Sequence, residues 1–187
     1  MNLQDAFKLA VDHHRAGRIR EAEAICGRIL EAVPEHAGAL HLSGVMAAQA
    51  REYEKAAGLL ERAAAVAPTD PLIQSSLGNA LVALGRLDEA VSAYQQSLAA
   101  APDSAATLSN YGNALKAQGR LEEAVGVYRQ ALAVDSRSAP TFNNLGNALL
   151  AQGRREEAEA AYRRALALDP AQEGARKVLE KLGGERP

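Results

Sequence analysis

The pattern that most constrains this chain returns every 34 residues. Ala10, Gly44, Gly78, Gly112 and Gly146 follow one another at that step, and so do Ala22, Ala56, Ala90, Ala124 and Ala158. Pro34, Pro68, Pro102 and Pro170 keep the same phase, with Ser136 the exception in that column. A strict period of this size marks stacked supersecondary units, each burying its apolar face only against its neighbours. Length alone, 187 residues, would allow one or two globular domains. The period replaces that expectation with a solenoid.

Residues 105–138 show the unit. Leu108, Tyr111, Gly112 and Leu115 fall at i, i+3, i+4 and i+7, one stripe of an α-helix. Gln118-Gly119-Arg120 interrupts the stripe, and Gly119 is placed to end the helix in a left-handed C-cap. A second helical stripe follows through Leu121, Ala124, Val125, Tyr128, Ala131 and Leu132. Each unit is therefore two helices and a tight turn. Glycine inside a helix costs roughly 1 kcal/mol relative to alanine, so its recurrence at Gly44, Gly78, Gly112 and Gly146 implies a steric need for close helix approach. Cys26, Leu60, Tyr94, Tyr128 and Tyr162 form a larger column, expected to fill the gap between one repeat and the next. Five units are predicted, at 3–36, 37–70, 71–104, 105–138 and 139–170. After Pro170, the stripe Ala175, Val178, Leu179 and Leu182 predicts an amphipathic capping helix over 171–183, stopped by Gly183-Gly184, with 184–187 as a tail.

Composition narrows the chemistry. Aromatics are 4% and Trp is missing, so the core is built from Ala, Leu and Val, which suits helices better than sheets. A net charge of −2 without a basic run argues against non-specific nucleic-acid binding. Cys26 is the single cysteine, which excludes an intrachain disulfide, and its place in a core column favours a buried small hydrophobe. No apolar run approaches a membrane span, and the charges near Met1-Asn2-Leu3 do not suit a signal peptide. A cytoplasmic protein without membrane contact is the expectation. His13 and His14 are adjacent and diverge around a helix, while His14 and His41 can share a face but lack an acidic or Cys partner, a poor zinc set. No metal site, cofactor motif or catalytic constellation is predicted, so the chain is read as non-enzymatic.

A small residue after Leu or Tyr, Glu-Ala in the second helix, an aromatic and a terminal Pro together resemble the tetratricopeptide repeat, from residue 3 to about 170. Units three to five match best. The first has Ala10 for Gly and Cys26 for the aromatic, and Arg51 replaces the turn glycine in the second. The resemblance implies an all-α right-handed superhelix whose first helices line a concave groove, and a module that binds proteins or peptides.

The first helices stand apart in charge as well. Residues 37–50, 71–84, 105–118 and 139–152 contain one charged side chain, Lys116. Opposite the packing stripe lie Ser75, Ser76, Asn79 and Val82 in the third unit. Ser109, Asn110, Asn113 and Lys116 follow in the fourth, and Asn143, Asn144, Asn147 and Leu150 in the fifth. Asn79, Asn113 and Asn147 are expected to form a ladder. Asn carries both donor and acceptor, so the ladder reads either as a contact to a peptide backbone or as a bond between neighbouring helices. The leading function is a scaffold holding an extended or helical segment of another protein, with self-association a further possibility. An alternative comes from a second likeness. The Asn-rich first helices and Gly-Arg-Leu-Glu-Glu-Ala turns resemble the repeat portions of O-linked N-acetylglucosamine transferase and related bacterial glycosyltransferases. That implies a substrate-recruiting relative or partner of such an enzyme, without the transferase domain itself.

Overall fold

In the computed structural model, which describes residues 2–184, the chain forms a run of α-helices with no strand among the described residues. They are α1 (Leu3–Arg15), α2 (Ile19–Ala32), α3 (Ala37–Gln49), α4 (Tyr53–Val66), α5 (Pro71–Ala83) and α6 (Leu87–Ala100), then α7 (Ala105–Ala117), α8 (Leu121–Val134), α9 (Ala139–Ala151), α10 (Arg155–Leu168) and α11 (Glu173–Gly184). The chain divides into two compact units, residues 1–100 and 101–187. In the first, α1 packs on α2, α3 on α4 and α5 on α6. In the second, α7 packs on α8, α9 on α10 and α11 on α10. Within each unit successive first helices also touch: α1 with α3, α3 with α5, and α7 with α9.

A column of N-caps starts the first helices. Asn2, His36, Asp70, Ser104 and Ser138 recur at the 34-residue step, and each accepts the amide three residues on. The distances run from 2.8 Å at Asn2 to 3.4 Å at Ser104 and Ser138. These side chains satisfy donors that the helix itself leaves unpaired. First helices end in a Schellman turn. The Arg120 amide donates to the Leu115 carbonyl and the Gly119 amide to that of Lys116, both at 3.0 Å, with Gly119 at φ +77°. Gly17, Gly85 and Gly153 do the same at φ +72° to +76°. The exception is Arg51, held at φ +63° in the same turn, where a Cβ crowds the backbone.

The glycines inside first helices have a direct steric cause. A Cβ built on Gly112 would lie 2.6 Å from Cε1 of Tyr128, and on Gly78 2.6 Å from that of Tyr94. On Gly146 the distance to Tyr162 would be 2.7 Å, and on Gly44 it is Leu60 Cγ at 2.7 Å. Leu60, Tyr94, Tyr128 and Tyr162 therefore each lie on the glycine of their own repeat, a contact that the period of the column did not show. The rings are sealed: Tyr128 and Tyr162 are 0% exposed. Burying such a side chain contributes about 1.5–3 kcal/mol, more than the roughly 1 kcal/mol that the helical glycine costs. At the start of the chain Cys26 sits in a core with Ala10, Ile25, Ile29 and Met46, and burial pushes its thiol pKa up.

The final helix runs through Gly183 to Gly184, so the glycines expected to stop it lie within its last turn. Ala175 and Leu182 are its buried residues. The expected tail falls, from residue 185 on, outside the described residues.

The left-handed arginine generates a prediction. Relief of an αL side chain is worth about 1–2 kcal/mol, offset in part by the greater freedom of an unfolded glycine. Arg51→Gly should therefore stabilise by about 0.5–1 kcal/mol and raise the thermal midpoint by about 1–4 °C. Circular dichroism melts check it; a lowered midpoint would contradict the strain.

Candidate interaction face of the first helices

In the third to fifth repeats the residue after the helical glycine meets the same tyrosine. Tyr94 Oη donates to Asn79 Oδ1 at 2.7 Å, Tyr128 Oη to Asn113 Oδ1 at 2.7 Å, and Tyr162 Oη to Asn147 Oδ1 at 2.8 Å. The geometry follows from helical spacing. Glycine faces the second helix, and the next residue, about 100° further round, sits at the edge of that contact where the phenol hydroxyl emerges. A buried hydroxyl needs a partner, and Asn supplies it. The interhelical reading of these residues thus accounts for their carbonyl oxygens. Their amide nitrogens are a separate matter: among the described residues, Asn113 and Asn147 make no further hydrogen bond.

In the first unit, Ser75, Asn79 and Val82 lie on α5. Asn79 is exposed, and Ser75 and Val82 are half-buried. Ser75 Oγ is turned back onto the Leu72 carbonyl at 3.1 Å. In the second unit, α7 carries Ser109, Asn110, Asn113 and Lys116, and α9 carries Asn143, Asn144, Asn147 and Leu150, all half-buried. The two helices are bonded where Thr141 Oγ1 donates to Ser109 Oγ at 3.2 Å. Asn143 Oδ1 is shut away from solvent without a partner among the described residues. Lys116 has no ion pair among the described residues, and burial pulls its ammonium below the usual lysine range.

Two contacts escaped the sequence reading. His14 Nε2 meets Gln49 Oε1 at 3.1 Å, joining α1 to α3, and His41 Nε2 meets Ser76 Oγ at 2.9 Å, joining α3 to α5. Both pairs are 35 apart, one more than the repeat, which is the signal that could have found them. Burial lowers the His41 pKa, against a smaller upward pull from Asp70. Among the described residues no three His, Cys, Asp or Glu side chains cluster to hold a metal ion, and no helix is long and apolar enough to cross a membrane.

In repeats two to five the charge lies on the second helices and the turns, whereas α1 carries Asp5, Lys8, Asp12 and Arg15. Arg86, Arg120 and Arg154 each fork onto the glutamate three residues on, at 2.6–2.8 Å. Lys55 and Glu52 make the same pair with the signs exchanged, at 2.8 Å. Exposed pairs of this kind add little stability; the first helices of repeats two to five carry Lys116 as their one charge.

Helical pairs, glycine-on-tyrosine packing and, in repeats two to five, first helices with one charged residue define a helical repeat protein. The tetratricopeptide repeat models match residues 7–71, 71–137 and 103–171, and the chain belongs to that family. No curated protein sequence matches it. Among solved structures, the chain resembles YrrB, described as a TPR protein with an unusual peptide-binding site, at a TM-score of 0.83 and 20% identity over 94% of this chain and 90% of that one. It also resembles MamA, at 0.79 and 18% identity over 88% of this chain and 96% of that one. A further MamA structure, from AMB-1, gives 0.76 and 23% identity over 90% and 92%. At these identities the likeness shows a shared fold.

The tyrosines predict an alkaline limit. Burial raises the phenol pKa of Tyr94, Tyr128 and Tyr162 above the ordinary 10.0. The unfolded chain then loses these protons first, so their contribution is fully present below pH 10 and is lost as pH rises through the folded values. Tyr128→Phe should cost about 0.5–1.5 kcal/mol at pH 7 and flatten the loss of stability above pH 10. Urea titrations across that range check it; an unchanged alkaline slope would contradict the assignment.

Proposed function

We propose that this chain is a non-enzymatic interaction module that holds an extended or helical peptide segment against the neutral, Asn-rich face of its first helices. The face comprises Ser75, Asn79 and Val82 in the first unit. In the second it comprises Ser109, Asn110, Asn113, Lys116, Asn143, Asn144, Asn147 and Leu150. The working array is five repeats over 3–170 with the last helix as its end cap.

The observation that supports this reading best is the division of labour in Asn113 and Asn147. Their oxygens are held by buried tyrosines, which fixes the side chains and leaves amide donors without a partner among the described residues. Pre-positioned donors bind a peptide carbonyl without the ordering cost of a mobile side chain. Amide recognition of this kind reads the backbone whatever the peptide sequence. Val82 and Leu150 supply apolar contact, and Lys116 supplies one cation. YrrB, as a peptide-binding relative in fold, is in keeping with this reading.

Peptides selected by phage display on the full chain, measured by calorimetry, test it. With one lysine on this face, raising salt from about 50 to about 500 mM should weaken binding by less than about tenfold, or about 1.4 kcal/mol. In a Tyr128→Phe, Tyr162→Phe background, where the interhelical bond is already gone, Asn113→Ala with Asn147→Ala should weaken binding at least about fivefold. Stability should hold or rise, since Ala is the better helix former. A hundredfold loss in salt, or binding indifferent to the Asn changes, would move the functional surface to the charged second helices.

A further inference from the structure

The second repeat keeps the glycine, Gly44, but departs from the later repeats at three positions that line one pocket. Where later repeats carry Asn79, Asn113 and Asn147, it has Val45; where they carry Tyr94, Tyr128 and Tyr162, it has Leu60. Ala48 stands where they have Val82, Lys116 and Leu150. Leu60 still reaches the glycine, since a Cβ on Gly44 would meet its Cγ at 2.7 Å, but it has no hydroxyl end to carry on toward residue 45. The space remains open. A pocket of about 290 Å³ is lined by Val45, Ala48, Gln49, Leu60, Ser76 and Asn79. That is at the small end of the range for ligand sites, and suits one side chain better than a drug-sized molecule.

The rim is polar and held in place. His41 meets Ser76 and Tyr94 meets Asn79. His14 meets Gln49 through Gln49 Oε1, and the Gln49 amide nitrogen has no partner among the described residues. Like the place that receives each tyrosine of the later repeats, this one sets a side-chain amide beside a first-helix surface, but the amide offers its N–H where Asn79, Asn113 and Asn147 offer an oxygen.

We infer that this pocket is a specificity site for a tyrosine side chain of the bound partner. The ring lies on Val45, Ala48 and Leu60, and its hydroxyl oxygen accepts from the Gln49 amide N–H, the reverse of the donation that the chain's own tyrosines make to Asn79, Asn113 and Asn147. The inference rests on the first-helix face being where the partner lies.

Free p-cresol, the tyrosine side chain by itself, tests it on the intact protein by amide chemical shifts. Saturable shifts at Val45, Ala48, Gln49 and Ser76, half-complete at about 1–10 mM, support the site. 3-Methyl-1-butanol, a leucine-like probe, should bind at least about fivefold more weakly. Val45→Asn with Leu60→Tyr, which copies the later repeats, should fill the pocket and abolish the p-cresol shifts. Ala48→Leu, the residue found at 150, should do so independently and serves if the double variant fails to fold. No saturable shifts, shifts surviving in the folded variants, or equal binding of the leucine-like probe would overturn the assignment. Because p-cresol needs no peptide, such a result removes the pocket and leaves the peptide-face reading standing. Failed peptide selection with p-cresol bound would remove that reading by itself.

Discussion

The fold depends on a ring pressed against a backbone. A second-helix tyrosine can press this closely on a first helix only where no Cβ intervenes, and the 2.6–2.7 Å that a methyl carbon would leave shows how little room there is. Everything else in the repeat is compatible with that contact. The alanine column Ala56, Ala90, Ala124 and Ala158, buried throughout, lets the pair close. The N-cap and the Schellman turn set where each first helix begins and ends, so that glycine arrives opposite the ring. Because the phenol must satisfy its hydroxyl, the contact also fixes the side chain one residue on, and so couples the interior to the candidate binding face.

Much of this was legible in the sequence. The 34-residue step located both helices of each repeat, the left-handed turn glycine at Gly119, and a close approach at the helical glycines. It did not show which partner made the approach close, since one column of period 34 can pack within a repeat or against the next. Nor did it separate the two ends of the Asn side chain: periodicity marks Asn113 and Asn147 as special, but only the geometry shows their oxygens taken and their nitrogens left. The histidine contacts were missed for a related reason. A bond at a spacing of 35 joins different columns, and column-by-column reading does not see it.

The repeats that depart from the pattern are informative for the same physical reason. In the first two, Cys26 and Leu60 replace the ring, and Val11 and Val45 replace the asparagine that would receive its hydroxyl. The changes are coupled: without a phenol there is no hydroxyl to satisfy, and a buried-edge amide gives way to valine. Beside Cys26 the core is filled by Ile25 and Ile29 and by Met46 of the second repeat, whereas beside Leu60 an opening remains. Stability and recognition thus draw on the same column, with the complete triads giving a rigid, Asn-edged face and the incomplete one giving a recess.

The central claim, that ring and glycine are one interaction, is tested most directly by a double-mutant cycle between Gly112→Ala and Tyr128→Ala, read by chemical denaturation. With Tyr128 present, the added methyl overpacks the contact at a cost of about 1–3 kcal/mol, which cancels or exceeds the roughly 1 kcal/mol that alanine gains in a helix. With Tyr128 removed, that penalty disappears and the same substitution should stabilise. The account predicts a coupling energy of about 1–3 kcal/mol and a more favourable effect of Gly112→Ala once the ring is gone. Additivity within about 0.5 kcal/mol would contradict it.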